Sequence, residues 1–208
     1  MSRSAQQHWL DFLDEVTTSG AKHYLWLRSL SYLEYIGYRK MVKALGYHQV
    51  NKGVYHHLTD EIQHSFMLRE LAEKGYRLED GPVFGAEYLE IAEEYFQKID
   101  GEIHDWVEKF CGQENSFLCY LLTSYIIEKR AMQVYPQYYN RLSEIPSKSI
   151  IQKIIKDEGE HLSYLETQMS LLPGWSEEAG EGLLGMEEAC FESYLKQMQG
   201  CFRRALAA

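Results

Sequence analysis

The chain has 208 residues, and 21 Lys and Arg against 31 Asp and Glu leave a formal charge of −10. With 45% hydrophobic residues it can bury a core of its own as a single domain spanning residues 1–208, whereas the acidic balance argues against nucleic acid as a partner. The longest apolar run, Phe117 to Leu122, is far too short to cross a bilayer, and the first residues carry no signal-type apolar stretch. Cys111, Cys119, Cys190 and Cys201 form no Cys-x-x-Cys pair, which excludes a zinc ribbon. The expectation is a cytoplasmic protein with no membrane segment.

No proline precedes Pro82, and apolar residues recur at three- and four-residue spacing rather than in alternation, so the chain reads as all-α. A short amphipathic helix is expected over residues 9–16. A long helix over 21–45 ends at Gly46, and a second, starting at 48 or 54, runs to 74 and stops at Gly75. Gly81-Pro82 then breaks the chain. A third helical pattern covers 85–110, with an interruption expected at Gly101, and a fourth covers 116–142, where Pro136 is expected to kink or end it. Pro146 and Ser147 open a fifth helix, which continues to Leu172 before Pro173-Gly174. Residues 175–185 read as a Gly/Glu-rich linker to a last helix over 186–206. The string Gly180-Glu-Gly-Leu-Leu-Gly185 matches a dinucleotide fingerprint, but no strand precedes it and Glu181 would face the pyrophosphate, so it reads as linker.

Two segments share the pattern Asp-Glu-x-x-His: Asp60-Glu61-Ile62-Gln63-His64 and Asp157-Glu158-Gly159-Glu160-His161. On a helix, i and i+3 share a side, so each pair can offer a carboxylate oxygen and an imidazole nitrogen to one ion. The spacing alone is weak, because 24 Glu and 8 His in 208 positions give about one Glu-x-x-His by chance. Placement is stronger. Glu61 and Glu158 fall within apolar stripes, as do Glu34 (Leu27, Leu30, Tyr38, Met41) and Glu128 (Leu121, Tyr125, Ala131, Tyr135). A buried ionised carboxylate costs several kcal/mol unless it is paired or metal-bound. Four such carboxylates with two His call for cations. Glu34 and Glu61 are 27 residues apart and Glu128 and Glu158 are 30, which allows two helical hairpins that return to one level.

In this order, Glu34, Glu61-x-x-His64, Glu128 and Glu158-x-x-His161 resemble the ferritin-like di-iron carboxylate superfamily, and residues 156–169 resemble the last bundle helix of bacterioferritins. The resemblance implies a four-helix bundle over about 21–172, with a helical crossover between bundle helices 2 and 3 and a C-terminal helical extension over about 173–208. It also implies two iron ions, or manganese, bridged by Glu61 and Glu158, capped by Glu34 and Glu128, and each given one nitrogen by His64 or His161. Ile62 stands where bacterioferritin has its haem-binding Met, so no haem is expected, and no rubredoxin-like Cys pairs are present. The helical crossover and the extension resemble elaborations of ferritin-like oxidases and oxygenases more than those of cage-forming ferritins. The expected activity is therefore an oxidoreductase acting with O₂ or peroxide on a small organic substrate, with an unidentified electron donor and a homodimer among its assemblies. A ferroxidase or iron-storage protein, and a non-enzymatic bundle, are the alternatives.

Around these ligands the sequence leaves several roles open. His57, one turn before Glu61, reads as a satisfied helix residue in an outer position rather than a seventh ligand. Asp60 and Asp157, each four residues before a histidine, can orient an imidazole or simply face solvent. Tyr38 and Tyr125, one turn from Glu34 and Glu128, can bond a carboxylate or fill the core. Gly37, Ser124 and Ala131 leave room either for a substrate or for close helix packing.

Overall fold

Apolar side chains repeating at helical spacing give α-helices throughout the computed structural model, which describes residues 3–75, 84–172 and 175–205. The helices are α1 (Arg3–Thr18), α2 (Gly20–Ala44), α3 (Lys52–Gly75), α4 (Ala86–Cys111), α5 (Ser116–Arg141), α6 (Ile145–Ser170) and α7 (Glu177–Ala205), with a short 3-10 turn at Tyr47–Gln49 and no strand among the described residues. None of these helices is long and apolar enough to cross a membrane. The breaks expected at Gly81-Pro82 and Pro173-Gly174, and the end expected at Leu206, lie outside the described residues.

Four helices form two hairpins, α2 against α3 and α5 against α6, and the hairpins meet through α3–α6 and α2–α5. Helix α4 bridges them, touching α2 and α5 and packing mainly along α7. Between α4 and α5 the chain turns at Gly112, whose φ of 70° is costly for any residue with a Cβ, and Asn115 caps α5 by accepting the Leu118 N–H at 3.0 Å. Helix α1 packs against α2, α5 and α7. Its Trp9 and Phe12 meet Trp26, Phe191 and Phe202 with ring centroids 5.1 to 5.9 Å apart. Between α2 and α3, Ser31 and Ser65 each donate a hydroxyl to the other's backbone carbonyl at 2.7 Å, which holds the two backbones close beside the buried acids.

Three local expectations are corrected. Gly101 lies inside an unbroken α4, and Pro136 does not end α5, which continues to Arg141. The expected linker 175–185 is largely the first part of α7. Leu183 and Glu187 are buried there, and that burial outweighs the roughly 1 kcal/mol per Gly that disfavours helix. Gly180 has a packing reason: a Cβ would lie 3.2 Å from the Trp175 ring. Because the Gly-x-Gly-x-x-Gly string sits within a helix, the strand-turn-helix context of a nucleotide loop is absent.

Candidate metal centre

Helix α3 buries Val54, His57, Glu61, His64 and Leu68 on one stripe, and α6 buries Ile151, Ile154, Glu158, His161 and Leu165. Glu128 is buried on α5, and Glu34 on α2 is half-buried. All six residues that the sequence singles out converge. Two groups could each hold a metal ion: His57, Glu61, Glu128 and His161, and Glu34, Glu61, His64 and Glu158. Within each group the candidate ligand atoms lie within 4.8 Å of one another, and Glu61 belongs to both. Glu158 also reaches the first group, with Oε2 3.0 Å from His161 Nδ1.

His57 does more than the sequence suggests. Its Nε2 lies 2.8 Å from Glu128 Oε1 and 3.4 Å from Glu61 Oε1, while Nδ1 bonds the Tyr120 hydroxyl at 3.2 Å. The two other imidazoles follow the same plan, with partners that cross between helices. His64 Nε2 bonds Asp157 at 3.0 Å, and His161 Nε2 bonds Asp60 at 3.1 Å. Each aspartate thus steadies the histidine of the opposite Glu-x-x-His segment, and each Nδ1 is left facing the carboxylates. His64 Nδ1 is buried and makes no hydrogen bond, although Glu158 Oε1 is only 2.9 Å away. An unbonded buried nitrogen beside a carboxylate suits a lone pair aimed at an ion between them.

Tyr38 and Tyr125 do not bond a cluster carboxylate among the described residues. Tyr125 turns instead toward α7, edge-on to Trp175 at 6.1 Å, and Tyr38 is half-buried. The tyrosine that reaches a candidate carboxylate ligand is Tyr135, which donates to Glu34. It stands seven residues after Glu128 and so shares that glutamate's face of α5, a spacing that could have identified it. Gly37 has a specific role: a Cβ there would lie 2.9 Å from Glu61 Oε2, so its bare backbone makes space for the shared carboxylate. Gly37→Ala is expected to leave the metal-free helix as stable or stabler, because Ala gains up to about 1 kcal/mol in a helix, yet to weaken metal affinity at least tenfold. Melting curves and metal titrations of the same preparation check both halves.

Among the described residues no Lys or Arg forms an ion pair with these four glutamates; Lys153 pairs with Asp157 and Arg130 with Glu187. Without metal, protons must balance the charge. Burial, followed by the charges of Glu61 and Glu158, raises the Glu34 pKa well above the usual carboxylate range, and burial with Glu158 pushes Glu128 up to about 7. Burial works to lower the histidine pKa values, but the carboxylates outweigh it. Glu128 and Glu61 take His57 to about 9, Glu158 takes His64 to about 10, and Glu128 with Glu158 takes His161 to about 12. Burial also opposes the charge of Glu158, yet its hydrogen-bonded neighbours hold it well below the ordinary value. Searches against family models, curated proteins and solved structures found no match, so the chemistry of this centre is read from its own geometry.

Proposed function

We propose that the chain is a ferritin-like di-iron carboxylate protein, working as an oxidoreductase with O₂ or peroxide on a small organic substrate. The observation that carries this reading is the repeated histidine arrangement. Three imidazoles each turn one nitrogen toward one or more of Glu61, Glu128 and Glu158 and have the other fixed from outside by Tyr120, Asp157 or Asp60. Such outer partners set the tautomer and orientation of a metal-binding imidazole. Four carboxylates match the charge of two divalent ions, and mixed oxygen and nitrogen donors suit iron, or manganese. Iron bound there would supply the electrons for reducing the oxidant and open positions for it. The chain's own part is positional. Glu61 spans both groups, Tyr135 holds Glu34 by a hydrogen bond, and α4 and α7 wall the cavity that adjoins the cluster. That adjoining, largely apolar space favours turnover of an organic substrate over iron storage.

Anaerobic titration with Fe(II) tests the proposal: uptake should saturate at about two ions per chain, followed by O₂ consumption, in a small oligomer on gel filtration. Uptake of hundreds of ions, or of none, would refute it. Loading also has a pH signature. His57, His64 and His161 hold protons in the metal-free protein up to about 9, 10 and 12, and a metal must displace them. Near pH ~7.5, filling both positions is expected to release at least about three protons. Because acid favours the protonated, metal-free form, affinity should fall steeply as pH drops. A pH-indicator dye in weak buffer measures the release, and fewer than about one proton per pair of ions would contradict this proton balance.

A further inference from the structure

A narrow cavity that is partly open to solvent adjoins the cluster. Glu34, Glu61, Glu128 and Glu158 border one end, and along α2 the lining runs from Gly37 back to Trp26. That span is roughly 16 Å at ~1.5 Å per residue. Leu30, Leu33, Val134 and Phe191 supply walls between the ends, from α2, α5 and α7.

Away from the cluster, the polar groups of this lining are already engaged. Arg130, the only basic side chain among the described lining residues, is held by Glu187 through contacts of 2.9, 3.0 and 2.5 Å. The Tyr95 hydroxyl donates to the same carboxylate at 2.5 Å, and the Tyr135 hydroxyl donates to Glu34. Trp26 borders the cavity but is 0% exposed, and its Nε1, which makes no hydrogen bond, has no surface open to a ligand. A polar or charged group carried to the Trp26 end would therefore be buried without a partner.

We infer that this cavity receives an uncharged, slender, largely apolar molecule, with its one polar end at the glutamate cluster and its hydrocarbon remainder toward Trp26 and Phe191. Assigning the cluster end as the reacting end rests on the di-metal reading; the apolar selectivity stands on the lining alone. The test is calorimetric titration of zinc-loaded protein, zinc being a redox-inert stand-in, with decanol and with the decanediol that carries a hydroxyl at each end. Decanol should bind, and the diol at least tenfold more weakly, because its second hydroxyl is buried unbonded. Ala131→Phe and Leu33→Trp, which fill the cavity from α5 and α2, should abolish decanol binding while zinc uptake and helical circular dichroism persist. No binding of decanol, equal binding of alcohol and diol, or undiminished binding in both folded variants would overturn the inference. The alcohol and diol comparison needs no variant. Loss of the metal reading would register separately, as absent zinc uptake with the preference for decanol intact, a result that still supports the apolar site.

Discussion

Glu61→Ala is expected to empty both metal positions, taking bound metal from about two ions per chain to nearly none, while the helices persist. Glu61 is the one described residue common to both candidate groups, so its loss removes a ligand from each ion at once. Glu34 and Glu128 each belong to one group only, and their Ala variants should retain one ion. The metal-free fold should not suffer. Four acids, three of them buried, crowd this region, and Glu61 is one of the charges that push the Glu34 pKa upward. Removing it relieves that repulsion, and His57 keeps Glu128 at 2.8 Å. The melting temperature without metal should therefore hold or rise. Elemental analysis after anaerobic loading decides the matter: two tightly held ions in the Glu61→Ala protein would rule out a shared ligand.

The largest loss of stability is expected from Glu187→Ala. The Arg130–Glu187 pair joins α5 to α7 with side chains only 8% and 1% exposed, and the Arg130 guanidinium lies 4.3 Å from the Phe191 ring centroid. Deleting the carboxylate strands a guanidinium in an apolar setting, which costs about 3–5 kcal/mol and lowers the melting temperature by about 10 °C for a chain of this size. Tyr95 loses its acceptor as well. The pair itself is not the source of net stability, because taking both charges out of water offsets most of their attraction. Replacing both residues together, Arg130→Met with Glu187→Leu, is accordingly expected to be close to neutral. Thermal melts of the three proteins separate these cases, and a drop under about 2 °C for the single variant would contradict the argument.

The convergence of Glu34, Glu61, His64, Glu128, Glu158 and His161 was legible in the sequence because helical periodicity assigns each to a buried stripe and the intervals between them match two hairpins. The relations between helices were not. Asp60 and Asp157 look like partners of the histidines four residues ahead of them, but each reaches across to the other segment, and periodicity along one helix carries no record of that choice. His57 had the right spacing for either reading, and only the approach of Glu128 from α5 brings it into the cluster. Tyr125 and Tyr135 lie on neighbouring parts of one face of α5, and the packing of Trp175 and Glu34 around them decides which meets a carboxylate. The start of α7 was hidden for a related reason: its glycines signal a linker locally, and the burial of Leu183 and Glu187 is a tertiary effect.

The exchanged aspartate–histidine bonds have a consequence for biogenesis. Asp60 and His64 come from one hairpin, Asp157 and His161 from the other, and neither hairpin can aim its own imidazole. A nascent or half-unfolded chain therefore lacks oriented nitrogen donors, and on the proposed function a metal ion would gain a firm hold only after the halves have docked. Under the proposed function, capture of an ion would then certify that assembly is complete.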